Sequence, residues 1–118
     1  MATTIKRGEN VLIRRTLYQS DGTTALLLTS CSLIKFQLIQ NGVVYKTWNK
    51  ILTVYDTGFR QGTSTSQIEA ELTKDISDSL PIGNIDLYKT IEATDASFVI
   101  DGVLHDEDLE EGFLIVQE

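Results

Sequence analysis

The sequence predicts an all-β fold built from seven to nine short strands, arranged as a sandwich or a barrel. Thr, Ile, Val, Leu and Tyr occur in short runs that are interrupted about every eight to twelve residues by Gly, Asn, Asp or Ser. Several of these runs alternate apolar and polar side chains, which is the period of a half-buried strand. No segment has a helical period longer than two turns. Strands therefore dominate the expected structure.

The N-terminal part of the chain predicts one strand, followed by a second element whose type the sequence leaves undecided. Residues 11–18 alternate, with Val11, Ile13, Arg15 and Leu17 on one side and residues 12, 14, 16 and 18 on the other, so we expect a strand with one mainly apolar face and one mixed face. A turn at Gly22 ends it, because glycine accepts the positive φ of tight hairpins. The apolar residues 25–29 follow, and they fit either a strand buried on both faces or an edge ribbon.

The clearest local signal is a hairpin formed by residues 33–39 and 43–48. The two segments flank Asn41-Gly42, the dipeptide best suited to a two-residue type I′ turn. Alternation within the first strand directs the side chains at positions 34, 36 and 38 into the core. Residues 51–55 predict a further strand or a continuation of the second one, and residues 56–66 predict a loop that is either mobile or a contact site.

The second half of the chain contains one predicted interruption of the β pattern. Residues 67–72 alternate as a half-exposed strand, whereas residues 73–80 lose the period of two. Thr73 stands where it could cap a short helical turn, and Pro81 and Gly83 would end it.

Four further strands are predicted toward the C-terminus. One covers residues 85–92, a second hairpin turns at Gly102, and an apolar run at residues 113–116 lies close to the chain end. A terminal strand must pair within a sheet or it frays. We therefore expect the C-terminal segment to be structural.

Length and composition exclude several classes of site. The 118 residues correspond to one domain, residues 1–118, with enough surface to bury a single core. The single cysteine, Cys31, rules out an intramolecular disulfide and cysteine-based zinc sites, and the single histidine, His105, rules out paired-histidine metal sites. We expect no enzyme activity, no metal and no cofactor.

The net charge of -7 argues against nucleic acid as a partner, since nucleic-acid binders need Lys and Arg against phosphate. The longest apolar run is much shorter than the roughly 20 residues that span a bilayer, so we expect no membrane partner. The charge is also polarised. Residues 1–60 carry eight basic and three acidic residues, whereas residues 61–118 carry two basic and fourteen acidic ones.

The densest block of acidic residues lies just before the last predicted strand, at residues 105–111. One interpretation is a solvated acidic loop. The other is a contact face that meets a basic patch on a protein partner or on a second copy of the chain. On the second interpretation, the acidic contact residues are Asp106, Glu107, Asp108, Glu110 and Glu111.

The order of several motifs resembles a known family. The segment Ile5-Lys6-Arg7-Gly8-Glu9-Asn10 leads into a strand, and residues 21–29 supply an Asp-Gly step followed by Leu-Thr. Residues 68–76 then run into Leu80-Pro81-Ile82-Gly83. This order resembles the immunoglobulin-like antiparallel β-sandwich of tailed-bacteriophage virion proteins, as found at the N-terminus of upper-baseplate proteins.

The resemblance implies an immunoglobulin-like sandwich with an architectural role in a virion, and it implies no catalytic residues. Because no further module is evident, a small capsid-decorating or head auxiliary protein is the favoured type. Its partners would be other virion proteins, either the major capsid protein or tail and baseplate proteins, with self-association also open. A baseplate or tail connector is the alternative of the same fold.

Two hypotheses about ion or proton chemistry remain at the acidic block. His105 and Asp106 point to opposite faces of a strand, so they do not form a general-base pair, although His105 could make a pH-sensitive contact. Oxygen ligands for Ca²⁺ could come from Asp101 and residues 106–108. The spacing lacks the order of an EF-hand loop, so a solvated turn is favoured.

Aromatic and loop residues supply the remaining candidate contacts. Trp48 and Tyr45 could form a platform that binds a sugar or a protein, although a single Trp in a sandwich is more often in the core. Phe59 and Arg60 lie in the predicted loop and are candidate partner contacts. For Cys31, a buried and inert thiol is favoured over a reactive one.

Overall fold

The computed structural model describes residues 3–18, 24–93 and 104–117, and for Thr3 and residues 104–108 it describes the backbone only. The strands are β1 (Thr3–Lys6), β2 (Val11–Thr16), β3 (Cys31–Gln40), β4 (Val43–Ile51), β5 (Val54–Tyr55), β6 (Phe59–Gln61), β7 (Gln67–Leu72), β8 (Gly83–Ala93) and β9 (Leu104–Gln117). A 3₁₀ turn covers Leu28–Ser30, and one short helix, α1, covers Lys74–Ser79.

The strands form two packed sheets, so the predicted all-β sandwich is confirmed. The larger sheet has the order β1-β9-β8-β3-β4-β5, and the smaller one has the order β2-β7-β6. This is the arrangement of strands in an immunoglobulin domain. Strands β2, β6 and β7 correspond to strands B, D and E of one sheet, and β3, β8 and β9 correspond to C, F and G of the other. The strands β4 and β5 extend the larger sheet as in variable-type domains. One strand pair departs from the antiparallel prediction, since β1 runs parallel to β9.

The hairpin between β3 and β4 forms as predicted. Asn41 and Gly42 both adopt positive φ, 51° and 78°, as a type I′ turn requires. Ile34, Phe36 and Leu38 lie on the inner face of β3 and are completely buried. The turn dipeptide therefore sets the pairing beside the turn and alternation sets the buried face, while the register shifts by one residue between Leu38 and Ile39.

One cluster of buried side chains fills the space between the two sheets. Phe36 from the larger sheet contacts Phe59 from the smaller one in an edge-to-face arrangement, with ring centroids 5.3 Å apart. The largest fully buried side chains in the described ranges are Trp48, Phe36, Leu26, Leu28, Ile34, Leu38, Ile68, Leu72, Leu80, Ile85, Leu87 and Leu114. Packing between the sheets, rather than a disulfide, holds them together.

The predicted loop at residues 56–66 is wrong in part, because β6 forms within it. Phe59–Gln61 pairs with β7 and becomes the edge of the smaller sheet. Within β7, Ile68, Ala70 and Leu72 are buried as predicted, but Glu69 is buried too. The half-exposed strand is therefore covered more fully than its alternation indicated.

The short helical turn is confirmed as α1, but its cap is not the predicted one. The Thr73 side chain makes no capping hydrogen bond. Instead Asn10 Oδ1 accepts a hydrogen bond of 2.7 Å from the backbone N–H of Lys74. The Ser77 hydroxyl in turn accepts one of 2.9 Å from Gly8 N, so the loop between β1 and β2 holds the helix in place.

The C-terminal strand is tied into the larger sheet as expected. β9 pairs with β1 on one side and with β8 on the other. Because β9 begins at Leu104, the acidic block at residues 105–111 belongs to a strand and is not the solvated loop of the first interpretation. The hairpin predicted at Gly102 lies outside the described residues.

The structure also decides between the alternatives for two apolar segments, residues 25–29 and 51–55. Residues 25–29 are neither a buried strand nor an edge ribbon. Ala25 makes an isolated bridge with Tyr18, and the 3₁₀ turn buries Leu28. Residues 51–55 resolve into the end of β4, a turn and the two-residue strand β5.

Candidate functional site

Within the acidic block, Glu110 is committed to an internal ion pair. Its carboxylate accepts hydrogen bonds of 2.8 and 2.7 Å from the Arg15 guanidinium, which reaches it from the smaller sheet, and one of 2.5 Å from Lys89 Nζ. The Arg15 hydrogen bonds lower the pKa of Glu110 to about 2, against partial burial and with Lys89 adding to the effect. Glu110 therefore joins the two sheets through this ion pair, and its role as a partner contact stays a prediction.

The remaining acidic candidates are not brought together by any described contact. Glu111 is exposed at the surface of β9. The side chains of His105, Asp106, Glu107 and Asp108 lie outside the described residues, although their backbone pairs with β8. The acidic contact face at these positions stays a prediction, as does the Ca²⁺ hypothesis, since Asp101 also lies outside the described residues.

Of the two predicted partner contacts Phe59 and Arg60, the structure buries the first and leaves the second exposed, so the prediction for Arg60 stays a prediction. Phe59 is buried between Phe36 and Tyr55, so it is a core residue and its prediction as a contact is wrong. Arg60 is exposed, but its guanidinium pairs with Glu69 at 3.2 Å and with Glu71. The hydrogen bond to Glu71 raises the pKa of Arg60 further above its ordinary value.

The predicted aromatic platform does not form around Trp48. Trp48 is completely buried, and Lys46 Nζ lies 5.5 Å from the centre of its ring. Within the described part of the chain, the Trp48 indole N–H has no hydrogen-bond partner. Tyr45 is exposed, but alternation along β4 directs it to the opposite face from Trp48. The core alternative is therefore the correct one for Trp48.

The most exposed large apolar side chains in the described ranges lie together where β4 turns into β5. Ile51, Leu52 and Val54 are 56%, 66% and 69% exposed, and we call these three residues the β4–β5 tip. Leu52 also has a φ of 54°, which is rare for a residue with a side chain of this size. Its backbone N–H donates to Ser32 O at 2.9 Å, which fixes the turn.

Sequence reasoning missed the β4–β5 tip because the apolar run at residues 51–55 was interpreted as strand. A strand within a sandwich buries at least one face, whereas Ile51 at the end of β4 and Val54 at the start of β5 are both exposed. The sequence carries no local signal against the strand, since five residues are an ordinary strand length and no glycine marks a turn. Exposed apolar clusters of this kind mark interaction sites.

A cleft of about 410 Å³ opens beside the β4–β5 tip, and its lining includes Ser30, Cys31, Lys50 and Tyr55. Lys50 is buried, and its Nζ donates hydrogen bonds of 2.7 Å to Leu28 O and 2.6 Å to Cys31 O. Burial lowers the pKa of Lys50. The same cause raises the pKa of the Cys31 thiol to about 11 and raises that of Tyr55.

A second cleft, of about 490 Å³, lies between β2, β6 and the end of β7. Its charged lining residues are Arg60 and Glu71, which pair with each other. Because this pair neutralises itself, the second cleft presents less unbalanced charge than the cleft beside Lys50.

In residues 4–18, 24–93 and 109–117, whose side chains the structure describes, no three His, Cys, Asp or Glu side chains are grouped as metal ligands. None of the helices in that part of the chain is long and apolar enough to cross a membrane. No protein-family model matches the chain, and no curated protein is significantly similar to it.

Proposed function

We propose that the protein is a non-enzymatic structural component of a bacteriophage virion, specifically a small capsid-decorating or head auxiliary protein. It assembles in the host cytoplasm and binds other virion proteins, the major capsid protein first among them. No cofactor or nucleic acid takes part. The order of motifs that resembles virion sandwich domains supports the phage assignment, and the immunoglobulin-like sheet arrangement is compatible with it.

One observation carries the binding part of the proposal, namely the exposure of the β4–β5 tip. Three branched aliphatic side chains project from a single turn, and a soluble surface gains nothing from exposing them together. Apolar anchors of this kind are buried when a partner docks. The strained φ of Leu52 fits the same role, because unfavourable backbone angles concentrate at contact and functional sites.

Two alternatives remain, and each has a distinguishing feature. A baseplate or tail connector would use the same fold and the same β4–β5 tip, but it would be found on the tail. A carbohydrate-binding or host-recognition module would need an exposed aromatic face. The burial of Trp48 removes the strongest candidate for such a face and leaves Tyr45.

Electron microscopy of the particle encoded by the same genome tests the location of the protein. Density for the sandwich on the head, with the β4–β5 tip against capsid protein, is the expected result. Density on the tail alone would select the connector alternative, and absence from purified particles would refute the virion role.

Co-sedimentation with particles lacking the protein tests the contact residues. A variant with Ile51→Ser, Leu52→Asn and Val54→Ser should lose attachment, and Asn at position 52 also tolerates positive φ. The matched control carries Leu12→Ser in β2 and Ile82→Ser in the segment before β8, which change exposed apolar residues away from the β4–β5 tip. A third variant neutralises Asp106, Asp108 and Glu111. Loss of attachment in that variant alone would transfer the contact to the acidic face.

A further inference from the structure

Lys50 is a buried cation without a carboxylate partner in the described part of the chain. Only 3% of the residue is exposed, and its two close partners are the carbonyl oxygens of Leu28 and Cys31. Carbonyl dipoles solvate an ammonium group but leave its charge unbalanced. Buried charges are ordinarily paired with an opposite charge, so Lys50 is an exception.

The third ammonium hydrogen of Lys50 is not used by either carbonyl, since each accepts one hydrogen bond. The nearest described aromatic ring, that of Tyr55, has its centre 5.9 Å from Nζ. Donor capacity and positive charge therefore remain available beside the cleft.

The cleft beside Lys50 has the composition of a small-ligand site. Its volume of about 410 Å³ falls in the range of such pockets. Ser30, Ser32 and Thr53 contribute hydroxyl-bearing lining residues, while Leu52 and Tyr55 contribute apolar and aromatic ones. A ligand that matches this lining has one anionic group and a short apolar body.

We propose that the cleft beside Lys50 binds the carboxylate group of a small organic acid, with Lys50 Nζ as its charge partner. The hydroxyl groups of Ser30 and Thr53 supply further donors, and the apolar body of the acid packs against Leu52 and Tyr55. The proposal concerns a ligand site and does not depend on the virion role.

The charge of the cleft favours a carboxylate over a phosphate. One ammonium group balances one negative charge, so a monocarboxylate leaves the site neutral. A phosphate near neutral pH carries close to two charges and is ordinarily met by a planar arginine or by several donors. Among the described lining residues, Lys50 is the single cation. Burial lowers the pKa of Lys50, and a bound anion would oppose that shift.

Titration of the protein with sodium butyrate, followed by ¹H–¹⁵N NMR against sodium chloride at equal ionic strength, tests the proposal. Saturable shifts should appear at the amides of Ser30, Ser32 and Thr53. Butyramide has the same shape without the charge and should cause none of them. Acetate should bind more weakly than butyrate because it lacks the apolar body.

Variants assign the charge partner. Lys50→Met should abolish the saturable shifts, whereas Lys46→Met makes the same change on the same strand outside the cleft and should preserve them. If Lys50→Met fails to fold, Ser30→Asp replaces it. That variant places a carboxylate in the cleft and should weaken butyrate binding roughly tenfold or more, while Ser30→Asn should not.

A last comparison identifies the source of the carboxylate. Stronger binding of a blocked tripeptide with a central glutamate than of butyrate would assign the site to an acidic side chain of a protein. Stronger binding of butyrate would assign it to a free organic acid. Absence of saturable shifts with both ligands, or equal shifts with butyramide, would overturn the proposal.

Discussion

Cys31 and Lys50 place a thiol and an ammonium group in one buried corner of the sandwich. The Cys31 thiol donates to Leu27 O at 3.6 Å, and the Cys31 carbonyl accepts from Lys50 Nζ. Together these contacts fasten the 3₁₀ turn to β4. Cys31, which the sequence predicts to be a buried and inert thiol, therefore also lines the cleft beside Lys50.

We expect Cys31 to be unreactive in the folded protein. Burial raises the pKa of its thiol to about 11, so at mildly alkaline pH the reactive thiolate is scarce and shielded. Reaction with a disulfide reagent such as Ellman's, followed by absorbance, should be slow until urea unfolds the protein and fast afterwards. Rapid stoichiometric reaction of the native protein would contradict the buried position.

Local sequence patterns predicted burial correctly at some residues and missed it at others. Alternation correctly placed Ile34, Phe36 and Leu38 in the core, because a strand period determines the face whenever its sheet is covered. It could not place Phe59, whose neighbours in sequence are typical of a loop. Phe59 is buried because β7 supplies a pairing edge, and that contact is long-range.

At the scale of elements, α1 depends on a cap from another part of the chain. Asn10→Ala should lower the free energy of unfolding by about 1 kcal/mol, since it removes the side chain that accepts from Lys74 N. Thr73→Ala should change it by less than about 0.5 kcal/mol, because Thr73 makes no capping hydrogen bond. Urea unfolding followed by circular dichroism measures both. A larger loss of unfolding free energy in Thr73→Ala than in Asn10→Ala would indicate that Thr73 is the capping residue after all.

The turn between β3 and β4 gives a second test at this scale. Gly42→Ala should destabilise the protein by about 1 kcal/mol, because φ is positive there. A Cβ at this position would meet no other atom within 4 Å, so strain of the backbone is the only cost. Gly42→Asn should lose less, since asparagine tolerates this conformation. Thermal unfolding compares the two variants, and equal losses would argue against the type I′ geometry.

The elements with strong local signals were predictable, and those that depend on partners were not. The Asn41-Gly42 hairpin and the helical turn before Pro81 follow from residues adjacent in sequence. Strands β1 and β6 are short and were not predicted, because pairing with another strand stabilises them more than their own residues do. The β4–β5 tip belongs to this second group.

At the scale of the whole molecule, an ion-pair cluster joins the two sheets. Arg15 projects from β2 and Glu110 from β9, and the Arg15 guanidinium also lies 5.4 Å from the centre of the Phe113 ring. Lys89 completes the cluster from β8. The folded-state pKa of Glu110, about 2, lies below its ordinary value of 4.5. Its contribution to stability is therefore present above about pH 4.5 and is lost as the pH falls toward 2.

Glu110→Gln should accordingly lower the free energy of unfolding near neutral pH by about 2 kcal/mol. The difference from the parent protein should narrow markedly by about pH 3, because below about pH 4.5 the unfolded chain binds a proton at Glu110 that the folded chain does not. Urea unfolding at the two pH values measures it. Glu111→Gln removes the adjacent exposed carboxylate and should have little effect at either pH. A pH-independent loss at Glu110 would assign its role to packing alone.

The sequence by itself determined the all-β class, the central hairpin, the inner face of β3 and the position of α1, because turn chemistry and side-chain alternation are local properties. Only the tertiary structure decided which charges are free. In sequence, Glu110 and Arg60 are both candidate partner contacts. In the structure, Glu110 pairs with Arg15 of the other sheet, and Arg60 pairs with Glu71 of the neighbouring strand. It also decided that Ile51, Leu52 and Val54 remain exposed and that Lys50 is buried. Burial and charge pairing depend on residues that are distant in sequence, so no local pattern contains them.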